Sequence, residues 1–171
     1  MISRLVIVGA GLIILLILFV IVKNLLSSGN DNLPALINVV RQQQELVHIA
    51  KAASVSQQPI STNSRNVAVT TELSMTSARS QILSYAVKQH YKIDAKQIIY
   101  PGAKAIDLQL ANASAASTFD STYRLVLKNQ LLSYQTSLKQ AYAKTTGTKG
   151  RELLNRQYDG AGLLLHQLSS S

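Results

Sequence analysis

The sequence contains no cysteine and no tryptophan, and aromatic residues make up only 5% of its 171 positions. Without thiols there can be no disulfides, no thiolate zinc or iron–sulfur centres, no cysteine nucleophile and no lipidated cysteine. Negative charge is also scarce. Eight Asp and Glu face seventeen Lys and Arg, for a net charge of +9, and all charged residues together reach 15%. Soluble domains typically carry about 25%. Proline occurs three times and glycine eight times, so few positions interrupt regular structure. In place of charge the chain carries Ser, Thr, Asn and Gln, together with one long apolar run.

That run extends over residues 5–22, from Leu5 to Val22, as LVIVGAGLIILLILFVIV, 18 residues without a charge. As a helix it covers about 27 Å, close to the roughly 30 Å hydrocarbon thickness of a bilayer. It has no polar face, so it does not suit a water-soluble helix. Lys23 follows it, with an aliphatic stem that can snorkel to the headgroups. A cleaved signal peptide has a shorter apolar core of about 7–15 residues, so an uncleaved anchor is expected. The segment Val8-Gly9-Ala10-Gly11 resembles the start of a dinucleotide-binding turn, but Ile14 stands where a third Gly is required. No ionisable group interrupts the run, which makes it a tether rather than a transport path. Arg4 and the amino terminus on one side favour a cytoplasmic tail and an extracytoplasmic C-terminal body.

Beyond the anchor (residues 1–26) and a polar linker (27–33), the sequence predicts an all-α domain over 34–171. Leu36, Val39, Val40, Val47 and Ala50 form one helical stripe. Val67, Thr71, Met75, Ala78, Ile82 and Tyr85 form a second. Phe119, Tyr123, Val126, Leu127, Tyr134, Leu138 and Ala141 form a third. Leu153, Leu154, Ala161, Leu164 and Leu168 form a fourth. The expected helices are 34–56, 62–89, 118–144 and 151–168, with a short helix over 105–112. Two short loops and one long middle connection predict a ferritin-like four-helix bundle with a crossover. Tyr85, Tyr123 and Tyr134 are expected to bury their rings with the hydroxyls near the rim.

The element Phe119-Asp120 followed by Tyr123, with a last Leu-rich helix holding His166, resembles a bacterial exported ferritin-like family of unknown function, found in the periplasm or outer membrane. Glu45 with Ala50, Ala52 and Ala53 is similar to that family's first helix. The resemblance covers most of residues 35–171 and implies a fold and a compartment rather than a reaction. The family typically carries His in the middle of its second and third helices. Here those regions read Glu72-Leu73-Ser74-Met75 and Gln130-Leu131-Leu132.

Glu45-Leu46-Val47-His48 has the Glu-x-x-His spacing of di-iron bundles, which need that pair on two helices and a further Glu on two others. Only three Glu are present, Glu45, Glu72 and Glu152, and His90 and His166 lack a Glu three residues before them. By helical geometry Glu45 lies opposite Leu36 and is expected to face solvent, with His48 on the flank. Glu45, His48, Glu72, His90 and His166 are the candidate ligands of an alternative reading, a metal-binding or redox bundle. No catalytic constellation is recognisable, and no cofactor is expected. From Asn30 onward the chain carries 15 basic and 8 acidic residues, or +7. Lys88, Lys92, Lys96 and Lys104 form the densest basic patch. Such a domain suits anionic headgroups or an anionic envelope polymer. With no recognition motif and a tethered chain, nucleic acid is not an expected partner. Gln42-Gln43-Gln44 is expected to offer a hydrogen-bonding face to an envelope protein. The expected function is therefore a membrane-anchored, non-enzymatic binding or scaffolding module at the cell envelope. A subunit of a larger surface assembly is a further alternative.

Overall fold

A computed structural model describes residues 32–169. The predicted anchor, with Leu5, Val22 and Lys23, lies outside the described residues. No helix among the described residues is long and apolar enough to cross a membrane. They contain no strand and form α1 (Leu33–Ser54), α2 (Thr62–Lys88), a 3-10 turn (Ala95–Ile98), α3 (Ala103–Ala115), α4 (Phe119–Lys144) and α5 (Thr148–Ser169).

The helix bounds follow from local chemistry. Pro34 sits in the first turn of α1, where a missing N–H costs nothing. Ser61, rather than Thr62 or Asn63, caps α2, its hydroxyl accepting from the Ser64 N–H at 3.2 Å. α2 and α3 each end in a residue with positive φ, His90 and Ser117, both at 59°. Past those residues, the Tyr91 N–H reaches the Ala86 carbonyl and the Thr118 N–H reaches the Ala113 carbonyl, each at 2.9 Å. These bonds satisfy carbonyls that a helix end leaves open. α5 starts at Thr148, three residues before the expected Arg151, and α3 runs longer than the expected 105–112.

The four long helices form a helical bundle. α1 packs on α2 and α4, and α5 packs on α4 and α2. Asn38 pairs with Ser137 and Gln42 with Gln130, so α1 and α4 run in opposite directions. Asn63 pairs with the Gln167 carbonyl and Gln157 with the Ala78 carbonyl, so α2 and α5 do too. Each long helix is therefore antiparallel to its neighbours, while α2 and α4 are parallel. The segment between α2 and α4 must climb the length of the bundle. It does so along α1: Arg41 donates to the Gln97 carbonyl, and His48 meets Asp107.

Every apolar stripe read from the sequence is buried except at Tyr85, which is half-buried. Gly150 of α5 leaves room for the Tyr85 side chain of α2. A Cβ there would collide with the Tyr85 hydroxyl and lie 2.7 Å from Thr145 Cγ2.

Candidate binding grooves and the polar interior

Three expectations fail in the interior of the bundle. Gln42 and Gln43 do not form an outer face; they are 8% and 0% exposed, and only Gln44 of the three is on the surface. Glu45 does not face solvent; it is 1% exposed. Tyr134 and Tyr123 do not hold their hydroxyls at the rim; both residues are fully buried. The causes are physical. A lone helix has a solvent side, but the crossover covers the side of α1 that carries Glu45. The amides turn inward because Gln42 Oε1 and Gln43 Nε2 meet partners on other helices, while Gln43 Oε1 is buried without one.

Those partners make a continuous network. Gln43 Nε2 donates to the Tyr134 hydroxyl and to Gln157 Oε1, both at 2.9 Å. The Tyr134 hydroxyl donates to Gln157 Oε1 at 2.9 Å, and Gln157 Nε2 donates to the Ala78 carbonyl at 3.0 Å. All four long helices are joined through neutral groups. Beside it, Gln130 Nε2 donates to Gln42 Oε1 at 2.5 Å. Burial raises the pKa of Tyr134 above the ordinary phenol value, against the lowering effect of its bond from Gln43. Tyr123 is buried with its hydroxyl unpaired, and burial raises its pKa further, aided by the Asp120 charge.

The candidate metal ligands are placed apart. Glu45 and His48 share α1, and His48 Nε2 lies 2.5 Å from Asp107 Oδ1. Glu72 sits 3.9 Å from Lys51 Nζ and accepts from the Ser54 hydroxyl at 3.3 Å. His90 is exposed in the turn that ends α2, a backbone position where His is several-fold enriched. His166 is exposed on α5. Among the described residues no group of three or more His, Asp and Glu converges to hold a metal ion. Within the Phe119-Asp120-x-x-Tyr123 element, Phe119 stacks on Tyr123 with ring centroids 6.3 Å apart. Asp120 accepts from the Ser61 hydroxyl at 3.3 Å, which ties the start of α4 to the cap of α2.

The environment of Glu45 shifts the pKa of its carboxyl. Burial raises its pKa, His48 opposes the rise, and Asp107 adds to it. A carboxyl with a raised folded-state pKa holds its proton in the folded state over a range where the unfolded chain has lost it. Stability therefore falls as pH rises from the ordinary carboxyl range through the raised value. Glu45→Gln is expected to flatten that slope. Urea midpoints measured between about pH 4 and pH 8, wild type against variant, check it; parallel curves would show that Glu45 does not set the slope.

Grooves among the described residues also open on the outside of the bundle. One, of about 500 Å³, runs between α2 and α5. It presents Ser77, Ser80 and Ser84 with Lys88 from α2, and Lys149 and Arg156 from α5. No acidic side chain lines it. Glu152 and Asp159, the acids nearest in sequence to its α5 cations, form no ion pair with them. Of the four lysines read as one patch, only Lys88 lines this groove. Lys92, Lys96 and Lys104 are exposed along the crossover. Lys149 and Arg156 had no signal in the sequence, because only the α2–α5 pairing brings them beside Lys88. Another groove, of about 580 Å³, lies between α1, α2 and the crossover and includes Glu45.

No family model, no curated protein and no solved structure matches the chain.

Proposed function

We propose that this is a single-pass membrane protein whose helical bundle stands outside the cytoplasm and binds an anionic polymer of the cell envelope. In this reading the uncharged run from Leu5 to Val22 is the anchor, and the crossover arrangement is that of a ferritin-like four-helix bundle. The observation that carries the binding role is the α2–α5 groove, with three cations, three serine hydroxyls and no acid. Lysine and arginine there attract phosphate or carboxylate groups, and the hydroxyls and the Gln81 amide add directional hydrogen bonds. The groove belongs to the half of the bundle that contains the start of α1, because α1 and α2 are antiparallel and Lys88 ends α2.

The test uses the full chain in detergent, titrated with polyphosphate and with polyglutamate at low and high salt. Reversing Lys88, Lys149 and Arg156 to Glu is expected to weaken binding at least about tenfold, or about 1.4 kcal/mol. Reversing Lys92, Lys96 and Lys104 is expected to have a smaller effect. Added salt is expected to weaken the wild-type complex as well. Equal losses from the two triple variants would remove the groove from the reading. Release of the protein from membranes by alkaline carbonate, without detergent, would remove the anchor.

A further inference from the structure

The groove beside α1 has mostly apolar walls: Leu83 of α2, Ile98, Ile99 and Tyr100 of the crossover, and Ala103 of α3. Two of its other polar groups already have partners. Arg79 donates to Gln44 Oε1, and His48 is paired with Asp107. Glu45 differs. Its side chain lines the groove, is 1% exposed, and leaves Oε1 without any hydrogen-bond partner. A buried carboxylate oxygen that has lost water without gaining a hydrogen-bond donor is costly, and native folds rarely leave one so.

We propose that this groove binds a small primary amine with an apolar or aromatic body, the ammonium donating to the Glu45 carboxylate and the body lying against Leu83, Ile98 and Tyr100. An ammonium brings both the missing donor and the compensating charge, whereas a neutral alcohol brings only the donor. The terminal torsion of Glu is soft, so the carboxyl turns toward the groove at little cost. The site is independent of the anionic-polymer reading: it lies on a different face, uses different residues and selects the opposite charge.

The experiment is calorimetric titration of the full chain in detergent with phenethylamine, 2-phenylethanol and phenylacetate. Partition into micelles is common to every variant and is subtracted with a micelle blank. Phenethylamine is expected to bind saturably and at least about tenfold tighter than the alcohol or the acid, a gap of about 1.4 kcal/mol. Glu45→Gln is expected to remove that advantage. Ile99→Lys, at a position 65% exposed, sets a competing cation at the mouth and is expected to weaken phenethylamine by a similar factor. This second variant decides the matter if the first does not fold. Absence of saturable phenethylamine binding, equal affinity for amine and alcohol, or unchanged affinity in a folded Glu45→Gln protein or in Ile99→Lys would overturn the proposal. Polyphosphate binding through Lys88, Lys149 and Arg156 would be unaffected by that failure.

Discussion

Replacing Tyr134 by alanine is expected to lower the unfolding free energy by about 3–5 kcal/mol, the range for deleting a large buried aromatic side chain. The ring is fully enclosed and belongs to the main hydrophobic cluster. The loss combines apolar transfer, a cavity between α1 and α4, and removal of the hydroxyl that joins Gln43 to Gln157. Tyr134→Phe separates these contributions. It keeps the ring and removes only the hydroxyl, and is expected to cost about 1–2 kcal/mol. Gln43 Nε2 then still donates to Gln157 Oε1. Urea unfolding of the detergent-solubilised chain, followed by circular dichroism, measures both. Equal costs for Phe and Ala would mean that the network rather than the packing holds this layer.

The second large effect is expected from Gln157→Glu. The change is isosteric, but Gln157 Nε2 donates to the Ala78 carbonyl, and a carboxylate oxygen in its place would face that carbonyl with no proton between them. Gln157 is 7% exposed, and the Gln43 amide, the Tyr134 hydroxyl and the Ala78 carbonyl that it bonds are all neutral. An uncompensated buried charge of this kind costs about 3 kcal/mol or more. The folded state relieves it by keeping the introduced acid protonated, so its pKa is raised. Stability relative to wild type is therefore expected to fall as pH rises through the ordinary carboxyl range and up to the raised value. At acid pH the variant donates to Ala78 as the amide does, and the deficit shrinks. A pH-independent deficit would show that misfit, not charge, is responsible.

The parts of this fold that depend on a repeating pattern were legible in the sequence. Apolar residues at three- and four-residue steps marked the four long helices, Tyr100-Pro101-Gly102 marked the break between them, and the length of the middle connection implied a crossover. What was not legible depends on pairings between distant residues. Gln43 and Gln157 are polar by any scale, and only their meeting with Tyr134 makes them interior residues. Glu45 lies opposite Leu36 on an isolated helix, but the chain itself covers that side with the segment from Ala95 to Ala103. The groove cations illustrate the same limit. Lysines close in sequence formed the visible cluster, whereas those that share a groove come from two helices.

The directions of the four helices also decide how the body would carry a load. α1 and α5 run the same way, so Leu33 and Ser169 sit at opposite poles, separated by roughly the length of a 22-residue helix, about 33 Å. A pull between those two residues acts along the helix axes. It loads the seams between α1, α4 and α5 in shear, over their whole length at once, instead of peeling one helix from an end.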